Sequence, residues 1–250
     1  MFNLEGTFAE LIRPIENASF KNASSKQANL LLFFRLSQDA LWVLLNNGGV
    51  PLKMPDHTGG PQLLTYHISG RVLTMAQASV RMAMAGYCPE ALALSRTIAE
   101  LGRITSYFAF KPEKIGDYLS GKLKVIDILK KEQELHQSKE NPQFEMWKFL
   151  SSYSHGTADL LETFVKTEGQ FHSQGVLITD DASQESVLFG TISLFFMQYV
   201  WFRLLLRKIL TIPQEVNKAD KQLFLSDLAR KFTKAEFLNK LPELYEAIYS

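Results

Sequence analysis

One stretch of the sequence, Val187 to Phe202, constrains the fold most, because its sixteen residues include no charged side chain. It is shorter than the roughly 20 residues that a helix needs to cross a bilayer. Apolar residues recur along and beyond it at alternating steps of four and three, as in helices packed against helices: Leu188, Ile192, Phe195, Tyr199, Phe202, Leu206 and Ile209. Its other side is also apolar. We therefore expect no membrane span here, but a buried helix central in a bundle, or one that also forms a subunit interface.

Apolar residues at helical spacing recur through most of the chain. They predict helices over 24–46, with Ser24 or Ser25 as the N-cap, and over 62–87 and 89–110. Residues 169–178 are predicted to be irregular, with a short β-hairpin as the alternative, and two amphipathic helices follow residue 213. The sequence thus predicts an all-α multi-helix bundle with a central hydrophobic helix over residues 1–210. A C-terminal helical extension over 211–250 is expected to pack on the same domain.

Charge and cysteine content restrict the class of protein. The chain has 27 Lys and Arg, 26 Asp and Glu, and a net charge of +1, which excludes a basic nucleic-acid coat and a disordered tail. A single cysteine, Cys88, allows no intrachain disulfide, and the N-terminus lacks the basic region of a signal peptide, so a cytoplasmic protein is expected. Residues 111–141 contain seven Lys and six acids, which is typical of a solvated arm or surface helix.

Sequence motifs for common cofactors are absent. The chain contains no G-x-G-x-x-G, no phosphate-binding G-x-x-x-x-G-K, no C-x-x-C and no H-E-x-x-H. A di-iron bundle would need Glu-x-x-His pairs, and the segment from Glu132 to His136 has the wrong spacing. We therefore expect neither a metal nor a cofactor.

A first polar group lies on the predicted helix 89–110. Arg96, Glu100, Arg103 and Tyr107 fall within about 60° of one another around the helix axis. This arrangement is also expected of a solvent-exposed face with an i,i+4 ion pair. Because the helix has few other charges, we favour a stripe that faces a groove or a partner.

A second polar group follows about fifty residues later. If helical geometry persists past Gly156, one face contains Lys148, Ser151, His155 and Asp159. The Asp159 carboxylate would then orient the His155 imidazole, as carboxylates do for catalytic histidines. The alternative is a histidine at a helix end, where the helix dipole favours its charge and nearby backbone accepts its hydrogen bond.

These two groups together resemble a known family. The run Ala91-Leu-Ala-Leu-Ser-Arg96-Thr-Ile-Ala-Glu100 is followed by Trp147-Lys-Phe-Leu-Ser-Ser-Tyr-Ser-His155-Gly156. Over about residues 30 to 210 the chain resembles prokaryotic helical proteins of unknown function with an R-x-x-x-E helix and a later L-S-x-Y/V-x-H motif. That family looks like a branch of the HEPN superfamily of helical bundles, which includes abortive-infection proteins. Many HEPN proteins are dimeric, metal-independent RNases with an Arg-x4-6-His motif.

The resemblance implies a homodimeric endoribonuclease of stress response or phage defence, with RNA as its partner. His155 matches the motif histidine, and Arg96 with Glu100 matches the upstream polar pair. The basic position at the widest motif spacing is Lys148, which supplies charge without the bidentate fork of arginine. Substrate contacts would come from Tyr153, Ser151, Asp159 and Arg103.

A non-catalytic function is the alternative. In that case Arg96, Glu100 and His155 form a polar network that fixes the register of the helices or binds a partner. Under either hypothesis, the apolar residues of 187–209 predict a homodimer.

Overall fold

The computed structural model describes residues 8–46, 60–135, 150 and 181–209, and the regular elements in these ranges are all helical. The predicted all-α bundle is confirmed there. The hairpin predicted near 169–178 and the extension 211–250 lie outside the described residues. A short 3-10 turn, Pro112–Lys114, precedes α5, and the α-helices are α1 (Phe8–Lys26), α2 (Ala28–Asn46), α3 (Gly60–Ala85), α4 (Cys88–Phe110), α5 (Ile115–Leu119), α6 (Val125–Leu135) and α7 (Asp181–Ile209).

Helix α7 is the central helix, as the uncharged stretch predicts. All seven residues of its four-and-three pattern are buried, and it packs against α1, α2, α3 and α4. On its other side Trp201 is also completely buried, whereas Leu194, Met197 and Leu204 are only partly buried. The apolar residues on both sides of α7 are therefore largely buried by other helices of the same protomer. A subunit interface on α7 stays a prediction.

A cluster of three hydroxyls fixes α3, α4 and α7 against one another. The Thr191 hydroxyl lies 2.7 Å from the Ser95 hydroxyl and 3.1 Å from that of Ser79. Both serines donate to the Ala91 carbonyl, at 2.8 and 2.9 Å, so Thr191 donates to a serine oxygen. Further along, the Gln198 amide donates to the Thr105 hydroxyl, which shows that α4 and α7 run parallel.

The turn between α3 and α4 follows directly from its glycine. Gly86 has φ of 97°, a left-handed conformation that only glycine adopts without strain. Its N–H donates to Ala83 and that of Tyr87 donates to Met82, which is the Schellman pattern of a helix C-terminus. Pro89 then lies in the first turn of α4. The predicted helices 62–87 and 89–110 are thus confirmed within two residues at each end.

The helix predicted over 24–46 is observed as α2, which begins at Ala28, so the prediction is wrong at its N-terminus. Ser24 lies inside α1, where its hydroxyl donates to the Phe20 carbonyl at 2.8 Å instead of capping a helix. Gln27 continues the hydrogen bonding from α1 into α2, because its N–H donates to Ala23 and its carbonyl accepts from Leu31. Helix α1 gave a weak signal because it contains Pro14, and because from residue 12 onward its buried apolar residues are Ile12 and Ala23.

Two described helices, α2 and α7, are long and apolar enough to cross a membrane. The most apolar 18-residue window is 39% buried within the protein in α2 and 67% buried in α7. Core helices of soluble proteins meet the same criterion, so length and composition are weak evidence for a membrane span.

The charge-rich segment after α4 forms the predicted surface helix, α6, but with a buried inner side. Four lysines of this segment are exposed, as the charge pattern predicts: Lys122 and Lys124 just before α6, and Lys130 and Lys131 within it. Ile128 and Glu132, by contrast, are completely buried, as is Ile115 in α5. A count of charges along the segment does not reveal that α6 has one buried side.

Candidate functional site

The polar stripe of α4 is split between the protein interior and the surface. Arg103 and Tyr107, at its C-terminal end, are only 2% and 4% exposed. Glu100 and Arg96, one and two turns earlier on the same face, are partly exposed. The prediction that the stripe faces a groove or a partner therefore fails at Arg103, which faces α6 of the same chain.

Arg103 forms a buried ion pair with Glu132. Its Nε donates to Glu132 Oε2 at 2.8 Å, and its Nη2 donates to the Leu129 carbonyl at 2.7 Å. The two charged side chains are 3% and 0% exposed. Burying a single charge costs several kcal/mol unless a partner and further hydrogen bonds compensate for the lost water. Arg103 thus has both an ionic and a backbone partner on α6, and it joins that helix to α4.

The direction of α6 follows from the residues around its start. Tyr118 of α5 lies against Phe108, the neighbour of Tyr107 in α4, with ring centroids 5.5 Å apart. The Leu123 N–H, just before α6, donates to the Asp117 carbonyl. Helix α6 therefore begins on the Tyr107 side and reaches Arg103 with its second and third turns. It runs antiparallel to α4 and ends, at Leu135, on the side of Glu100.

The opposite side of α4 is held by the core. Ser95 belongs to the hydroxyl cluster with α3 and α7, and Ile98 is completely buried. Two turns later, Gly102 lies against Gln198, whose amide nitrogen is bonded to Thr105. Arg96 and Glu100 consequently project from a helix that is fixed on both sides, which is the type of element that holds site residues with least motion.

The second polar group lies outside the described residues. This applies to the predicted catalytic residues His155 and Lys148 and to the predicted substrate contacts Ser151, Tyr153 and Asp159. The motif segment is represented only by Leu150, a helical residue that is 1% exposed. The convergence of His155 with Arg96 stays a prediction.

Sequence reasoning missed two polar residues that organise this region. Glu132 was hidden among six acids, although Ile128 four residues earlier marks an inner face. Gln198 was noticed only as a polar residue in an apolar stretch, yet its amide nitrogen lies 2.7 Å from the Thr105 hydroxyl. Among the residues whose placement is described, no three His, Cys, Asp or Glu side chains are grouped so as to hold a metal ion.

Comparisons with known proteins add no relative. No protein-family model matches the chain, and neither curated proteins nor solved structures gave a match.

Proposed function

We propose that this protein is a metal-independent endoribonuclease in which His155 transfers protons and Arg96 binds the scissile phosphate. The proposal rests on the two sequence motifs and on one observation in the structure. Arg96 and Glu100 are partly exposed on a face of α4 whose neighbouring turns are fixed by α3, α6 and α7. A phosphate contact from such a helix requires little ordering when RNA binds.

The chemistry requires only the RNA and groups of this chain. The RNA 2′-oxygen attacks the adjacent phosphorus while the bond from phosphorus to the 5′-oxygen breaks. His155 removes the proton from the 2′-hydroxyl or gives one to the leaving 5′-oxygen, and water carries the other proton. The products are a 2′,3′-cyclic phosphate and a free 5′-hydroxyl.

Charge on the phosphoryl oxygens rises in this transition state, and cations stabilise it. Arg96 offers the planar, bidentate fork that suits a phosphate, whereas Lys148 offers a single charge. Arg103 has its Nε and Nη2 engaged with α6 and is 2% exposed. We therefore assign Arg103 a positioning role instead of the substrate contact predicted from sequence.

The test compares two arginine variants in an RNA cleavage assay that contains EDTA. Arg96→Ala should lower the cleavage rate by about 10²-fold, as expected for the loss of one group that stabilises transition-state charge. Arg71→Ala is the matched control, because it removes an exposed arginine from α3. It should leave the rate unchanged. Equal rates for the two variants, or products without a cyclic phosphate, would contradict the assignment.

A non-catalytic bundle is the second candidate, and the Arg103–Glu132 pair favours it. That pair shows that the α4 stripe already takes part in a buried ionic contact. If Arg96, Glu100 and His155 continue it as a structural network, the protein has no nuclease activity. Arg96→Ala would then lower the melting temperature, by about 2–4 °C for each kcal/mol lost. Under the nuclease proposal Arg96→Ala impairs cleavage and changes the melting temperature little.

A further inference from the structure

Helix α2 has an outward face that the described part of the chain leaves uncovered. Trp42 is 61% exposed, more than any other large apolar side chain in the described ranges, and Leu32 is 52% exposed. Arg35 and Asp39 lie between them and are also exposed. The inner face, by contrast, is buried against α7 and the core, with Ser37 at 0% exposure at its centre.

The central charges of this face are unpaired within the described residues. Neither Arg35 nor Asp39 forms an ion pair there, although they stand one helical turn apart. The outward face of α2 consists of Ala28, Leu32, Arg35, Asp39, Trp42 and Asn46, and it is flanked by Leu31 and Val43, which are partly buried against the core.

The order of residues on this face is symmetric about Ser37. Arg35 and Asp39 lie two positions on either side of it, and Leu32 and Trp42 lie five positions on either side. Leu31 and Val43 lie six positions away. A two-fold axis at the level of Ser37, perpendicular to α2, would pair each of these positions with its counterpart in an antiparallel second helix.

We propose that a second copy of this chain covers the outward face of α2, in an antiparallel α2–α2 pair. Arg35 then lies opposite Asp39 of the partner subunit, and the symmetry creates this ionic contact twice. Leu32 packs against Trp42 of the partner subunit on both sides of the charges. The two arginines of the pair do not lie opposite each other, and neither do the two aspartates. The face is therefore complementary to itself in both charge and apolar contact.

Charge complementarity favours a second copy over a lipid surface. An apolar face inserted into lipid would desolvate Arg35 and Asp39 at its middle, where ionisable groups are costly. A second copy supplies each of them with an opposite charge. One helix per protomer is a small interface, so the dimer should dissociate in the micromolar range.

Charge reversal tests the pairing. In light scattering over a concentration series, the full chain should be a dimer at high concentration. Arg35→Glu places two acids opposite each other, and Asp39→Arg places two bases opposite each other. Each should weaken dimerisation at least tenfold, and the double variant Arg35→Glu/Asp39→Arg should restore it. Arg71→Glu, an exposed charge reversal on α3, is the matched control and should remain dimeric.

Circular dichroism shows whether each variant is folded, and both positions are exposed, so the helical content should not change. A monomeric wild-type protein at 100 µM would overturn the proposal. So would a dimer that withstands both single reversals, because it would use another face. Binding of the monomer to anionic vesicles through Trp42, seen as a blue shift of its fluorescence, would overturn it in favour of a lipid surface.

Discussion

Arg103 of α4 donates from Nε to Glu132 of α6 across 2.8 Å, and both side chains are buried. Removing one partner leaves an uncompensated charge in the interior, and this costs about 3–5 kcal/mol. We expect that loss in the free energy of unfolding for Glu132→Gln and for Arg103→Met, measured by urea denaturation.

The double variant Arg103→Met/Glu132→Leu shows whether the two residues stabilise the fold as a pair or independently. Because it removes both charges together, it should be more stable than either single variant. If the single losses simply add, the two residues do not act as a pair.

Gly102 and Gly190 should respond oppositely to alanine. A Cβ on Gly102 would lie 3.0 Å from Gln198 Oε1, and the amide of this buried glutamine is held by Thr105. Gly102→Ala should therefore cost about 1–2 kcal/mol in unfolding free energy, despite the better helix propensity of alanine. Around Gly190 in α7 nothing lies within 4 Å of the added Cβ, so Gly190→Ala should stabilise by about 0.5–1 kcal/mol. A stabilising Gly102→Ala would show that Gln198 moves freely.

Tyr87 makes stability sensitive to alkaline pH. Its hydroxyl donates to the Glu16 carboxylate, and this hydrogen bond, with burial, raises the pKa of Tyr87 to about 12. The pKa is raised above the unfolded value of 10.0, so the contribution is complete below pH 10 and is lost as the pH approaches 12.

Tyr87→Phe is the variant that isolates this contribution. At pH 8 it should be less stable than wild type by about 1 kcal/mol, the typical value of one hydrogen bond. The difference should shrink between pH 10 and 12, as followed by urea denaturation at each pH. A difference that is constant over this range would contradict the role of the Tyr87–Glu16 contact.

Secondary structure and the central helix could be predicted because they depend on local periodicity. The pattern from Leu188 to Ile209 specifies a surrounded helix, and Gly86 followed by Pro89 specifies the α3–α4 turn. Helix α1 escaped prediction because its buried residues between positions 12 and 26 are Ile12, Ser19 and Ala23, which produce a weak apolar stripe.

The candidate site was predictable only within a single helix. Spacing alone placed Arg96, Glu100 and Arg103 on one face of α4. The partner of Arg103 could not be found in this way, because Glu132 is 29 residues away and looks like any other acid in a charged segment. Contacts between helices depend on crossing geometry, which the spacing of residues within each helix does not specify.

The most direct test of the proposed nuclease compares two histidine variants in the EDTA-containing RNA cleavage assay. His155→Ala should reduce the rate by about 10²–10⁴-fold, the usual contribution of a general acid or base. His67→Ala, which removes an exposed histidine from α3, should cleave at the wild-type rate. Both variants should keep the wild-type melting temperature. No cleavage by the wild-type protein, or equal cleavage by the two variants, would contradict the central claim that His155 catalyses RNA cleavage.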